Sequence, residues 1–326
     1  MIREARIRAY AKLNLGLRVL YKRPDGYHEL RTIFQTISLA DNLEISFTPS
    51  KSTRIEMEGT PDIPDNLAER AAKLVMEAAG KGGTVRLQLR KNIPAGAGLG
   101  GGSSDAAAVL LALPVLSGAH LTMERLTALA ARLGSDVPFF LFGGTALGLG
   151  RGEELYPLPD QPAERALLVV PAIHSSTADA YRDLSATLTD GALTASLLTK
   201  VALQNKLDSF QRGAWGSTFG KDKSILINDF ESVVLARYPE LAGIRRRLQR
   251  AGATRVAMTG SGSAMFGIFD NPGKLERTRL EWKSDGEQVF SVSFVSRKRY
   301  QSAWRRALSQ HRKGNDTWPP QSRHAR

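Results

Sequence analysis

The stretch Ile93–Ala108, IPAGAGLGGGSSDAAA, is where this sequence most plainly offers chemistry. Five glycines fall between Gly96 and Gly102, and Ser103, Ser104 and a run of helix formers follow. Glycine lets a backbone come close to a ligand and turn its N–H groups inward. The start of a helix adds unpaired N–H donors and a partial positive charge. Loop and helix start together make an anion site suited to a polyphosphate, and the serines can cap the helix or reach a phosphate or Mg²⁺. A flexible turn with an ordinary serine cap is the plainer reading. The strand before it and the helix after it weigh against that reading. The loop lacks the GK[ST] ending of a Walker loop. A dinucleotide fingerprint forced onto Gly96–Gly101 fits poorly, because a long β-rich region precedes it where a Rossmann unit needs its first strand.

Other polar residues stand in suggestive places. Lys12 and Asn14 lie two apart in the strand-like AKLNLGL, hence on one face; alternation alone turns Lys12 to solvent. Asp136, in LGSDVPFFL, follows a helix stop at Gly134 and precedes Pro138. A carboxylate there can cap a short helix, or orient a hydroxyl and accept its proton late in phosphoryl transfer. Tyr27 and His28 follow the turn PDGY. TGSGS at Thr259–Ser263 reads as a turn between two strands, with Gly260, Ser261 and Gly262 permitting close backbone approach.

The elements that must position these residues are mixed. Strand patterns run over Arg3–Arg8, Ala11–Tyr21, Arg31–Leu39, Asn42–Thr48, Thr84–Leu89, Ala166–Pro171, Arg255–Met258, Ala264–Phe269 and Val289–Ser296. Helical spacing runs over Asp65–Lys81, Ser103–Leu113 with a stop near Pro114, Met123–Leu133 capped by Thr122, Ser185–Leu207, Leu241–Ala251, and a closing Tyr300–Ser309. Gln211–Lys223 reads as a polar loop. Without regular βαβ alternation the class is α+β, and 326 residues suggest two domains.

Composition narrows the choices. With 42% apolar and 24% charged residues the chain is globular. It has no cysteine, so disulfides, a thiol nucleophile and cysteine metal sites are excluded. No apolar run approaches the roughly 20 residues of a membrane span, and the N-terminus lacks a signal-peptide core, so a cytoplasmic protein without membrane contact is expected. Net charge is +13, of which residues 297–326 carry +8. That tail raises nucleic-acid binding as an alternative, but its few aromatics fit plain solubilisation, and no nucleic-acid partner is expected.

PAGAGLGGGSSDAA resembles the phosphate-binding motif of the GHMP kinases, and LGSDVPFFL and TGSGSAMFGIF resemble that superfamily's catalytic and C-terminal glycine segments. AKLNLGL with RPDGYHEL is similar to the N-terminal signature of its branch acting on 4-diphosphocytidyl-2-C-methyl-D-erythritol. The resemblance, over about residues 3–296, implies a two-domain fold. Residues 1–160 would form a ribosomal-protein-S5-domain-2-like ATP-binding domain, residues 161–299 a ferredoxin-like domain, and 300–326 a basic, disordered tail. It implies transfer of the γ-phosphoryl of ATP, with Mg²⁺ carried on the phosphates and no protein metal site, to the 2-hydroxyl of that substrate in non-mevalonate isoprenoid synthesis.

The resemblance also assigns roles. Asp136 becomes the base or orienting carboxylate, with Lys12 as its partner. Pro94, Gly96, Gly98, Leu99, Gly100, Gly101, Gly102, Ser103 and Ser104 hold phosphates, and Asn66 and Lys91 lie near the adenine. Asn14, Tyr27, His28, Thr177, Tyr181, Gly260, Ser261 and Gly262 line the substrate side, with aromatic rings on the cytosine. A monomer or weak homodimer acting on a small molecule is expected. A homoserine- or mevalonate-type kinase would keep the loop and lose the DGYHEL pocket, and a phosphate-binding pseudoenzyme would lack Lys12 and Asp136.

Overall fold

The computed structural model describes residues 2–59, 65–190, 226–283 and 286–311. Strands β1 (Arg3–Lys22) and β2 (His28–Pro49) form a long antiparallel hairpin closed at the PDGY turn, where Arg23 N donates to Tyr27 O at 2.7 Å. The sequence suggests two strands in each arm; each is one. The register of β1 against β2 shifts between Tyr10 and Lys12, Asn14 and Gly16, and Val19 and Tyr21. Such bulges re-aim side chains without ending a strand. Strands β3 (Arg54–Glu58) and β4 (Gly83–Arg90) extend the sheet past one half of β2, and β5 (Thr145–Leu149) and β6 (Glu154–Pro157) past the other.

Helices α1 (Leu67–Ala79), α2 (Gly101–Ser117), α3 (Met123–Leu133) and the single turn α4 (Phe139–Phe142) share the core of this sheet. Pro114 does not stop α2; the helix runs on to Gly118, whose backbone N–H donates to Pro114 O and Val115 O from a left-handed cap. From Ala106 to Leu113 it is apolar on all sides and buried, so packing outweighs the one missing N–H.

The second sheet contains β7 (Arg165–Val170), β9 (Arg255–Met258), β10 (Met265–Phe269) and β11 (Gln288–Ser293), antiparallel in the order β11-β7-β10-β9. With α5 (Thr177–Asp190), α6 (Glu231–Arg237), α7 (Glu240–Arg250) and α8 (Pro272–Glu281) this is the ferredoxin-like order. The helix expected from Ser185 starts earlier, because the Ser176 hydroxyl accepts from Asp179 N at 3.3 Å and caps it. The remainder of that helix and the Gln211–Lys223 loop lie outside the described residues. Strand β8 (Ile227–Asn228), which has no signal in the sequence, runs from this half and pairs in parallel with β1 at Gly16 and Leu17. A shared apolar layer, including Ala11, Leu13 and Leu99 from one half and Ala166, Leu168 and Phe266 from the other, joins the sheets.

The tail expectation is corrected for residues 300–311. Helix α9 (Arg297–Ala307) folds back onto the first sheet, with Tyr300 and Trp304 each 1% exposed in its core beside Tyr10. Two buried aromatics at i, i+4 outweigh the charge of the segment. Among the described residues no helix is long and apolar enough to cross a membrane.

Candidate active site

The glycine loop is held from below. Gly98 has φ +76°, and a Cβ there would run into the Thr259 carbonyl oxygen, so only glycine lets the loop lie against the TGSGS turn. Ala264 N donates to Ala97 O at 3.4 Å across the same seam. Gly100 opens α2 from a left-handed conformation, and no side chain caps the helix. Of the two uses open to Ser103 and Ser104, capping the helix is not the one adopted. The Ser104 hydroxyl is buried with no hydrogen-bond partner among the described residues. The first N–H groups of α2 and this hydroxyl are the donors the loop presents. Gly96 lies under the ring of His174; a Cβ there would be 2.7 Å from Nδ1.

Lys12 and Asp136 meet beside this loop. Lys12 Nζ is 3.3 Å from Asp136 Oδ2 and donates to Asn14 Oδ1 at 2.6 Å. Lys12 is 3% exposed, against the solvent placement that alternation favours. The second half of the chain covers the other face of β1, so both faces are buried there. Lys12 N donates to Leu99 O at 3.0 Å, fastening strand to loop, and its ammonium lies 5.5 Å over the Phe34 ring. The Asp136 carboxylate, 34% exposed, opens outward from the turn between α3 and α4.

Asn14 is the centre of a buried knot. Its Nδ2 donates to Thr32 Oγ1 at 2.7 Å, and its backbone N–H donates to Thr259 Oγ1 at 3.0 Å. Thr32 Oγ1 donates to Gly16 O at 2.8 Å. Asn228 Nδ2 donates to Met258 O at 2.9 Å and Gly260 O at 2.8 Å, fixing the approach to the TGSGS turn. Ser261 is braced twice: its Oγ is 2.7 Å from Thr177 Oγ1, and its carbonyl accepts from Ser175 Oγ at 2.8 Å.

On the outer wall His28 stacks on Tyr181, with centroids 4.8 Å apart and planes 23° apart, and Tyr181 meets Phe230 edge-on. Ser185 Oγ donates to Tyr181 O at 2.7 Å and lies 2.8 Å from His28 Nε2. With that hydroxyl proton committed, His28 donates from Nε2 and keeps Nδ1 as an acceptor. Burial, then the charge of Lys22, holds His28 below the usual imidazole range. Burial, then the Asp136 charge, raises the Tyr181 hydroxyl above its usual range. Tyr27 stands apart from this wall, 54% exposed under the Arg151 guanidinium at 4.6 Å.

Two expected nucleotide residues are engaged elsewhere. Lys91 pairs with Asp41 and, at 2.8 Å, with Asp105. Burial pulls the Lys91 ammonium down, but the two carboxylates outweigh it and hold it above its usual range. Asp41 also accepts from Asn92 N at 2.6 Å and Ile93 N at 2.8 Å, pinning the chain as it enters the loop. Burial pushes the Asp105 carboxyl up to about 7, against the pull of Lys91. Asn66 accepts from Ala68 N at 2.9 Å and caps α1, whose Leu67 borders Gly102.

Sequence reasoning missed Thr32, Thr259, Ser175, Ser185, His174 and Asn228. Thr259 could have been found as the hydroxyl opening the glycine turn, and Ser185 as the residue one helical turn beyond Tyr181. His174 and Ser175 open the HSSTADAY segment that carries Thr177 and Tyr181, whereas Thr32 and Asn228 carry no local signal.

Residues 66–144 match the GHMP kinases N terminal domain and residues 210–288 the GHMP kinases C terminal family. The chain is 54% identical over 322 residues to the 4-diphosphocytidyl-2-C-methyl-D-erythritol kinase of Solibacter usitatus (strain Ellin6076), covering 99% of this chain and 98% of that one. It is 39% identical over 292 residues to the protein of the same name from Geobacillus kaustophilus (strain HTA426), covering 89% and 96%. A crystal structure of 4-(cytidine 5'-diphospho)-2C-methyl-D-erythritol kinase superposes with TM-score 0.69 at 38% identity, covering 89% of this chain and 98% of that one. Homoserine kinase from Cytophaga hutchinsonii, at TM-score 0.63 and 19% identity over 90% and 95%, shares the fold. The chain thus belongs to the 4-diphosphocytidyl-2-C-methyl-D-erythritol kinases, small-molecule kinases of the GHMP type.

Proposed function

We propose that this kinase transfers the γ-phosphoryl of ATP to the 2-hydroxyl of 4-diphosphocytidyl-2-C-methyl-D-erythritol, giving the 2-phosphate and ADP, a step of isoprenoid precursor synthesis. The observation that carries this reading is the Lys12–Asp136 pair, 3.3 Å apart at the lip of the glycine loop. ATP places its phosphates on the backbone N–H groups of Gly96–Ser103, the Ser104 N–H being held by Gly100 O at 2.9 Å. Asp136 orients the acceptor hydroxyl and takes its proton as the bond to phosphorus forms. Lys12 offsets charge on the transferring group, and ADP leaves in line, without a covalent enzyme intermediate. Positioning and charge stabilisation supply the rate.

Mg²⁺ enters as part of the nucleotide substrate, on its phosphate oxygens. The orphaned Ser104 hydroxyl fits a role beside it. Asp105 is held by Lys91 through Oδ2 and leaves only a buried, unpartnered Oδ1. The cytosine is read at the His28–Tyr181 wall: the ring of Tyr181 gives a stacking face, and His28 Nδ1 accepts from an exocyclic amine. Thr177 and Ser261 lie toward the polar linker. Opening the His28–Tyr181 stack admits the base.

The test is ADP release with ATP–Mg²⁺ on the cytidine substrate, on homoserine and on mevalonate, with Asp136→Ala beside the parent. Turnover on the cytidine substrate alone, reduced about 10²-fold or more by the substitution, supports the reading. Turnover unchanged in Asp136→Ala would refute the role of Asp136. Activity confined to another alcohol would refute the cytosine wall.

A further inference from the structure

Helix α9 lies beyond residue 288, where the match to the GHMP C-terminal family ends, and it reaches the site from behind. The contact is made on α4, the turn that follows Asp136. A four-residue helix leaves the carbonyls of its last turn without intrahelical partners. α9 supplies them: Tyr300 Oη donates to Phe140 O at 2.5 Å, and Gln301 Nε2 approaches Phe142 O at 3.5 Å. Three residues past Phe142, Arg297 Nη2 donates to Thr145 O at 2.5 Å, and its Nη1 donates to Leu158 O at 3.2 Å.

The fit is close. Gly143, φ +66°, has the Tyr300 ring where a Cβ would stand. Tyr300 is 1% exposed, and its burial holds the hydroxyl above the usual phenol range, so it remains a donor at any working pH. The opposite side of α4 faces the chemistry. The Phe140 ring rests on Gly100 of the nucleotide loop, 2.9 Å from where a Cβ would be. Phe139 stacks on Phe34 at 4.9 Å, and Phe34 in turn lies under the Lys12 ammonium. The segment from Asp136 to Gly143 is thus clamped between the nucleotide loop and α9.

We infer that α9 is a strut that sets the Asp136 carboxylate against Lys12 and the acceptor hydroxyl, with Tyr300 as its positioning residue acting through the Phe140 carbonyl. The inference rests on Asp136 being the working carboxylate. Losing the Tyr300 hydroxyl strands a buried carbonyl and frees the turn to drift, and small misplacements of a reacting group cost rate more than binding.

The experiment uses the full chain as parent, Tyr300→Phe, Asp136→Ala and Leu248→Ala, the last a cavity in the core of the second sheet that lowers stability far from α4. The readouts are the single-turnover rate constant, KM for each substrate, Tm, and hydrogen exchange at the amides of residues 137–143. Tyr300→Phe is expected to slow the single-turnover step about three- to tenfold, with both KM values held within about twofold, and to speed exchange at those amides. Leu248→Ala is expected to lower Tm by more and leave the rate constant alone. A parental rate constant in Tyr300→Phe, or an equal loss in Leu248→Ala, overturns the strut while Asp136→Ala remains inactive. If Asp136→Ala keeps the parental rate, the reading of the site has failed, and the strut falls with it for that separate reason.

Discussion

Replacing Lys12 with methionine removes the buried ammonium and keeps most of the stem. In the parent, Nζ is 3.3 Å from the Asp136 carboxylate. Two unit charges at that separation interact by about 5 kcal/mol at an effective dielectric constant of about 20. The carboxylate is 34% exposed, so solvent screens part of this. Roughly half, ~2.5 kcal/mol, is retained as the same ammonium shifts toward the charge on the transferring phosphoryl group. At 1.36 kcal/mol per factor of ten, this is a loss of about 10²-fold in kcat/KM.

Stability behaves differently in the same variant. Asn14 Oδ1 loses its 2.6 Å donor, but a 3% exposed charge no longer has to be desolvated. The two effects oppose, and Tm stays within a few degrees. The assay is coupled ADP release over a range of both substrates, with thermal melts on the same preparations. A kcat/KM within about threefold of the parent, with an unchanged melt, would refute the reasoning and leave Lys12 as a support for Asn14 alone.

Gly98→Ala forces a side chain into the left-handed region and against the Thr259 carbonyl. Backbone strain of about 1–2 kcal/mol plus the overlap shifts the loop, and KM for ATP rises about tenfold or more with a lower Tm; a parental KM for ATP refutes it. Asp105→Asn separates from the parent with pH. The folded carboxyl titrates at about 7 and the unfolded one near ~3.9, so the folded chain holds a proton the unfolded chain has released across that window. The stability this group contributes is present below pH ~4 and lost as pH rises through about 7. Asparagine does not titrate, so melts from pH 5 to pH 8 should show the variant gaining on the parent, and a constant gap between the two refutes the assignment.

The glycine loop, the Asp136 turn and the TGSGS turn are legible in the sequence because each is a local device: glycines for close approach, a stop and a proline around a carboxylate. The burial of Lys12 is not. A lysine beside Leu13, Leu15 and Leu17 reads as a solvent-facing residue on a one-sided strand; instead the second half of the chain, arriving more than 150 residues later, covers the Leu13 face of β1, and Lys12 turns in toward Asp136 and Phe34. Lys91 fails for a similar reason, since Asp41 is 50 positions away and nothing near Lys91 announces it. The tail shows the limit of composition: nine Lys or Arg in residues 297–326 hide the spacing of Tyr300 and Trp304. The long strands read as broken because the bulges interrupt alternation without interrupting pairing.

The knot around Asn14 bears on how molecules enter and leave. It ties β1, the Thr259 turn and, through Gly98, the glycine loop by buried hydrogen bonds among Asn14, Thr32 and Thr259. Parting the two halves like jaws would strand those polar groups away from water. The looser part of the site is its rim, where Asp136 is a third exposed and, among the described residues, His28 and Tyr181 are joined by stacking and through Ser185. The floor of the site is a rivet, and the door is two aromatic rings.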